Sequence, residues 1–386
     1  MSFMSFLCSF TETIITMRSV LIVAILLSIA AAYYIYLPLP STISEPWKLM
    51  FMDSVLRGVM HVVSFAFVSV IYSIYMIQIC TIVTLMWIQV TETSFGGVQA
   101  QVFESTAADQ EPHLKRGVVY FHGGGWTLGS GTVICKICMF MYTLAPEARF
   151  PDQYNEAVHA SKHILTAEVL SLYSIDPKRV AVSGDSAGAN LAAAVAQQMA
   201  LDNSDPIKFK VQALLYPTLQ ALDFNTPCIS RTYLNGDPKL MSLLANNHTT
   251  PTPSQEIAAA KAKTDWTKFL PVAFQKNYKP VVPLHGDPKL LEKLPGLLDV
   301  RAAPLLADMK VLKAVLPAYI MTCEHDVLRD DGLMYATRLE EVGVDVTVDH
   351  YEDGFHGCLS FAFGPFRFSV GFRSFRNYTR WLKENL

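Results

Sequence analysis

Three groups suited to acyl transfer stand in this chain, each set in a turn of its own. Ser186 lies in Gly184-Asp185-Ser186-Ala187-Gly188. Asp326 lies in Cys323-Glu324-His325-Asp326-Val327-Leu328-Arg329-Asp330-Asp331-Gly332, and His356 in Asp353-Gly354-Phe355-His356-Gly357-Cys358. A serine hydroxyl is a weak nucleophile until a neighbouring base takes its proton. Histidine supplies that base, and a carboxylate holds its tautomer and stabilises the imidazolium. The run Val180-Ala181-Val182-Ser183 before the serine is apolar, and an Ala-rich helical pattern follows it at once. The pattern reads as strand, sharp turn and helix, which lifts Ser186 Oγ above the end of a sheet. Gly184 and Gly188 leave room for the turn and for close helix–strand packing.

A second apolar strand, Val118-Val119-Tyr120-Phe121, runs into His122-Gly123-Gly124-Gly125-Trp126. Backbone N–H groups in such a loop can hold the charge that develops on an ester carbonyl oxygen. The expected donors are Gly123, Gly124 and Ala187, each typically worth roughly 3 kcal/mol of barrier. His122 belongs to this oxyanion element and reads as its loop-shaping residue, not as a second base. The rival carboxylates Asp330 and Asp331 read as first-turn acids of the next helix. His325 reads as a strand-end neighbour. The order Ser, Asp, His is that of an α/β-hydrolase triad, and the His-Gly-Gly-Gly run suits the oxyanion element of that fold. The chemistry needs no metal or cofactor.

These groups need a sheet to carry them, and the chain supplies one. Strand patterns fall at Val98–Glu104, Gly117–Phe121, Arg179–Ser183, Val211–Tyr216, Ala318–Thr322 and Val344–His350. Helical patterns alternate with them at Gln153–Thr166, Gly188–Ala200, Asp331–Val342 and Phe372–Lys383. That alternation argues an α/β fold with a mostly parallel, doubly wound sheet. Residues 223–310, rich in Pro, Asn, Lys and Thr, read as an insertion covering the site.

The chain has 386 residues, a formal net charge of −3, 51 % hydrophobic residues and seven cysteines. It carries no basic stripe for nucleic acid. Its cysteines do not form a disulfide framework, and Cys135-x-x-Cys138 lacks the second pair a zinc site needs. The hydrophobic excess points to a membrane. After an N-terminal tail of residues 1–18, Ser19 to Leu37 is uncharged and about long enough to span a bilayer. Continuation into Tyr33-Tyr34-Ile35-Tyr36 favours an uncleaved transmembrane anchor; Ala30-Ala31-Ala32 leaves a cleaved signal peptide as the alternative. A second uncharged run, Val62 to Ile88, either crosses the membrane or lies on its face. Residues 38–92 are therefore grouped as a membrane-associated segment, and 93–386 as the catalytic domain.

Together the motifs spell a family. His122-Gly123-Gly124-Gly125-Trp126, Leu144-Ala145-Pro146-Glu147, Gly184-Asp185-Ser186-Ala187-Gly188 and Asp353-Gly354-Phe355-His356-Gly357 resemble the hormone-sensitive-lipase group of α/β-hydrolases. The anchor with Glu45-Pro46-Trp47-Lys48 and Leu298-Asp299-Val300-Arg301-Ala302-Ala303-Pro304-Leu305 is similar to the arylacetamide deacetylase family. Its neutral cholesterol ester hydrolase branch is matched by Leu219-Gln220-Ala221-Leu222-Asp223, Asn277-Tyr278-Lys279-Pro280 and Cys323 to Gly332. The resemblance puts the catalytic acid at Asp326. It implies a single-pass, type II endoplasmic-reticulum membrane protein with a lumenal serine esterase acting, through an acyl-enzyme, on apolar lipid esters of cholesteryl or acetyl-ether-lipid type. Arylamide deacetylation is the alternative, and a catalytically impaired, truncated family member is another. The sequons Asn247-His248-Thr249 and Asn377-Tyr378-Thr379 are the expected glycosylation sites of a lumenal domain. The chain departs from the family at Thr143, where the family has Arg, and in shortened stretches at 130–144 and 228–247.

Overall fold

The computed structural model describes residues 27–62, 88–105, 114–127, 137–202, 204, 206–222, 255–275, 294–364 and 366–386. The chain divides into two units, one before residue 69 and one after it. In the first, residues 27–35 are helical and a proline-bearing stretch leads to helix α1, Pro46–Val62. Proline suits the first helical position, where its missing N–H costs nothing. Arg57 of α1 pairs with Asp53 one turn back at 2.6 Å and donates to the Tyr34 carbonyl at 2.8 Å. Trp47, Phe51 and Val55 are exposed at four-residue spacing along the same helix. Among the described residues no helix is long and apolar enough to cross a membrane. Of the two apolar runs, residues 19–26 and 63–87 lie outside the described residues.

The second unit is built on eight strands: β1 Ile88–Phe95, β2 Val98–Ser105, β3 Lys115–Phe121, β4 Ile137–Phe140, β5 Ile175–Asp185, β6 Val211–Leu215, β7 Ala318–His325 and β8 Val346–Phe355. They lie in the order β1-β2-β4-β3-β5-β6-β7-β8. β1–β2 and β2–β4 are antiparallel, and every later neighbour is parallel. The sheet is mostly parallel, with an antiparallel hairpin at one edge. That hairpin turns at Gly96 and Gly97, both at positive φ (60° and 84°), the backbone a two-residue turn demands. The sheet therefore begins at Ile88, not at 93. Residues 88–92 belong to an edge strand; a long apolar run ahead of them hides their alternation. β4, only four residues long, falls inside the shortened stretch 130–144. Residues 128–136, its approach, lie outside the described set.

The main helices of this unit are α2 Asp152–Ile164, α3 Ala167–Leu172, α4 Ala187–Leu201, α5 Gln255–Lys263, α6 Arg329–Glu341 and α7 Ser369–Asn385. Strand alternation sorts α6 and α7 to opposite faces. Ile320 and Thr322 lie against Gly332 of α6, while Tyr319, on the alternate face of the strand, meets Tyr378 and Trp381 of α7. The sheet is thus covered on both sides, which is why its central strands read as continuous apolar runs. On the α7 side, buried Ser183 donates to the Ala213 carbonyl and meets the Tyr378 hydroxyl at 2.9 Å.

The insertion is more regular than its composition implies. Besides α5 it holds single helical turns at Trp266–Phe269 and Val272–Gln275 and 3-10 turns at Pro295–Leu298 and Pro304–Leu306. Arg338, buried on α6, donates to the carbonyls of Leu305 and Ala307 and lies over the Phe269 ring.

The tightest joint between helix and sheet is where α4 leaves β5. A Cβ on Gly188 would stand 1.9 Å from the Phe121 carbonyl oxygen of β3, and one on Gly184 2.4 Å from the Gly188 backbone. Gly188→Ala is expected to cost at least ~3 kcal/mol or to prevent folding, read by chemical denaturation of the purified chain.

Candidate active site

β5 ends at Asp185, and α4 starts at Ala187. Ser186, between them, sits at φ 53° and ψ −117°, a backbone that L-residues avoid. Its N–H donates to the Leu215 carbonyl at the end of β6 at 2.9 Å, and its carbonyl accepts the Asn190 N–H at 3.2 Å. The hydroxyl is thereby turned out of the sheet. Asn190 fixes the next layer, its side-chain nitrogen donating to the carbonyls of Thr218 and Ala302.

His356 follows the end of β8 and Asp326 follows the end of β7, so two parallel neighbours bring them together. Ser186 Oγ lies 3.0 Å from His356 Nε2, and His356 Nδ1 lies 2.9 Å from Asp326 Oδ2. The other Asp326 oxygen accepts the Leu328 N–H at 2.8 Å, and its side chain is fully buried. The carboxylate fixes the proton on Nδ1 and leaves Nε2 facing the hydroxyl. Burial lowers the His356 pKa, but the bonded Asp326 carboxylate and, less, Asp185 raise it by more. The net position is above the ordinary 6.5. The Tyr216 ring meets the imidazole edge-on at 5.0 Å between centroids.

The glycine loop differs from the expected donor set. Gly123 does not offer its N–H to a substrate: it donates to Asp185 Oδ1 at 2.8 Å, beside the Tyr120 hydroxyl, also at 2.8 Å. A Cβ at Gly123 would stand 2.4 Å from Asp185 Oδ2, so this pinning needs glycine. Burial raises the Asp185 pKa, opposed by the Tyr120 and Gly123 bonds. Gly124 and Gly125 turn at φ 113° and 63°. Among the described residues no acceptor takes the N–H of Gly124, Gly125 or Ala187. His122 is buried and stacked on Tyr142 at 4.4 Å, with Nδ1 2.7 Å from the Gly123 carbonyl. Burial depresses its pKa, which keeps it neutral and donating from Nδ1. The Tyr142 hydroxyl in turn donates to the His122 carbonyl at 2.7 Å.

The rival carboxylates stand elsewhere. Asp330 pairs with Arg329 at 2.8 Å. Asp331 is buried, raised by that burial to about 7, and accepts the N–H groups of Leu219 and Gln220. Sequence reasoning missed Asp185, Tyr216 and Tyr142. Asp185 stood beside the nucleophile and the loop glycine explains it, whereas Tyr216 and Tyr142 follow short strands with no motif of their own. Thr143, in the place of an arginine, donates its N–H and hydroxyl to Glu156 at 2.7 and 2.8 Å. Asn247 lies outside the described residues. Asn377 is half-buried on α7, its amide nitrogen donating to Tyr351 at 2.8 Å.

Residues 118–360 match a family model described as the alpha/beta hydrolase fold. The chain is 43 % identical to neutral cholesterol ester hydrolase 1 of Bos taurus, over 96 % of this chain and all of that one. It is 37 % identical to arylacetamide deacetylase of Oryctolagus cuniculus, over 95 % and 99 %. Among solved structures it is similar in fold to an esterase of Pyrobaculum calidifontis, with TM-score 0.53 and 24 % identity over 77 % of this chain and 85 % of that one.

The raised His356 sets the sign of a pH profile. Its imidazolium cannot accept the Ser186 proton, so ester turnover is expected to fall on the acid side with a midpoint above pH 6.5. Asp326→Asn removes the upward pull and is expected to lower kcat by about 10³- to 10⁴-fold. Initial rates on a soluble ester from pH 5 to 9 check both.

Proposed function

The chain belongs to the α/β-hydrolase family, on the branch it shares with neutral cholesterol ester hydrolase and arylacetamide deacetylase, and we propose that it is a serine carboxylester hydrolase acting on apolar lipid esters at a membrane. The observation that carries this is the hydrogen-bonded line from Ser186 through His356 to Asp326, at 3.0 and 2.9 Å. His356 Nε2 takes the hydroxyl proton as Ser186 Oγ attacks the ester carbonyl. The N–H groups of Gly124, Gly125 and Ala187 hold the oxyanion, and Asp326 steadies the imidazolium. His356 then protonates the leaving alcohol, and water, activated by the same ring, hydrolyses the acyl-enzyme. With one edge of the imidazole exposed, 37 % of that side chain is open to an entering ester. Higher identity to the cholesterol ester hydrolase than to the deacetylase favours a lipid ester over an arylamide.

The same reading places the domain in the endoplasmic-reticulum lumen behind a single anchor at 19–37. The two sequons and the full-length likeness to that branch support it.

Ser186→Ala is expected to abolish ester hydrolysis and fluorophosphonate labelling while the protein stays folded, and His356→Gln to cost a similar amount, since triad members act as a unit. Wild-type turnover in the alanine variant would overturn the assignment. For the topology, an endoglycosidase shift lost in Asn247→Gln plus Asn377→Gln is the expected result in microsomes. An unglycosylated domain, digested by protease added to intact microsomes, would place it in the cytosol.

A further inference from the structure

We propose that Arg329 is a positioning residue that ties the insertion to the loop holding Asp326, so that the two hold their places together; this rests on the reading of Asp326 as the catalytic acid. Asp326 sits in a turn that leaves β7 after His325 and enters α6 at Arg329. From inside, two backbone donors close it: Leu328 N–H to the Asp326 carboxylate, and Arg329 N–H to the Asp326 carbonyl at 3.1 Å. From outside, the Arg329 guanidinium bridges its two flanks. One nitrogen donates to Glu324 at 2.9 Å, and Nε donates to Asp330 at 2.8 Å.

The same guanidinium reaches a different part of the chain. Its Nη2 donates to the carbonyl of Phe274 at 3.3 Å, and its plane lies 5.5 Å from the centre of that ring. Phe274 belongs to the insertion's Val272–Gln275 turn. Its ring also meets His350 of β8 edge-on at 4.8 Å. His350 bonds Thr322 at 2.9 Å and lies 3.5 Å from Glu324. The insertion is therefore seated against β7 and β8, the two strands that deliver Asp326 and His356.

One guanidinium serves both flanks of the turn. Glu324 and Asp330 carry like charges, and Arg329 donates to both. Arg329 is 14 % exposed, Glu324 18 % and Asp330 19 %, so solvent screens the pairs less than it would at the surface. Removing the guanidinium takes away the donor that both carboxylates share and unlatches Phe274. A displacement of about 1 Å at a catalytic group can cost roughly 100-fold in rate. Lysine would restore the charge without the planar fork that serves three acceptors at once.

Amide hydrogen exchange on the full chain tests the coupling directly. Arg329→Gln is expected to speed exchange in 270–275 and in 324–328 together, leaving β5 and β6 protected. With p-nitrophenyl butyrate, the same variant is expected to lose about 10- to 100-fold in kcat and to raise KM several-fold, with Arg329→Lys between it and wild type. Phe274→Ala is expected to raise KM with a much smaller loss in kcat. Faster exchange in only one segment, or in neither, overturns the proposal. So do kcat and KM within twofold of wild type in an active Arg329→Gln protein. A wild-type chain that neither turns over the ester nor takes a fluorophosphonate would instead sink the esterase reading, and the exchange pattern would still decide the coupling.

Discussion

Everything at the catalytic end of the sheet depends on one strained residue held by backbone contacts. Ser186 at φ 53° and ψ −117° costs of order 1–3 kcal/mol, and the surrounding structure must over-determine it. It does so without help from the serine side chain. The N–H of Ser186 is tied to β6, its carbonyl to α4, and glycines at 184 and 188 let the helix backbone rest on the β3 carbonyl. The same contact that strains the turn aims Oγ at His356 and leaves the Ala187 N–H at an unpaired helix start.

Carboxylates around this turn show how placement divides one chemical group among several roles. Asp326, fully buried, bonds an imidazole on one oxygen and a backbone N–H on the other. Asp185 spends itself on Gly123 and Tyr120, converting one loop glycine from an oxyanion donor into an anchor for the loop. Asp331 is lifted to about 7 by burial and secures the chain after β6. Glu324 and Asp330 share one guanidinium. None differs from the others in intrinsic acidity by enough to matter. Burial and donors separate them.

Apart from β4, the parallel strands, with the helices α2, α4, α6 and α7, were legible because each is a sustained period bounded by turn residues. Other elements were not. β1 is preceded by an uncharged run that reads as membrane, so its membership of the sheet shows only in its pairing with β2 across Gly96 and Gly97. The helical turns of the insertion are four residues long and stabilised by tertiary contacts such as Arg338 to the Leu305 and Ala307 carbonyls. So short a segment has no period to read.

By itself, the sequence determined which residues have the right chemistry and in what order they occur. Strand–glycine–serine–glycine–helix allows essentially one backbone, and three turns carrying Ser, Asp and His at strand ends define a mostly parallel sheet whose loops must converge. It could not determine what each polar group is bonded to. Whether Gly123 N–H faces a substrate or Asp185, and whether Arg329 faces solvent or bridges Glu324, Asp330 and Phe274, depends on partners from 1 to 62 residues away along the chain. Such pairings are fixed by the packing of the sheet and helices, because a hydrogen bond needs atoms within about 3 Å and no local pattern sets that distance.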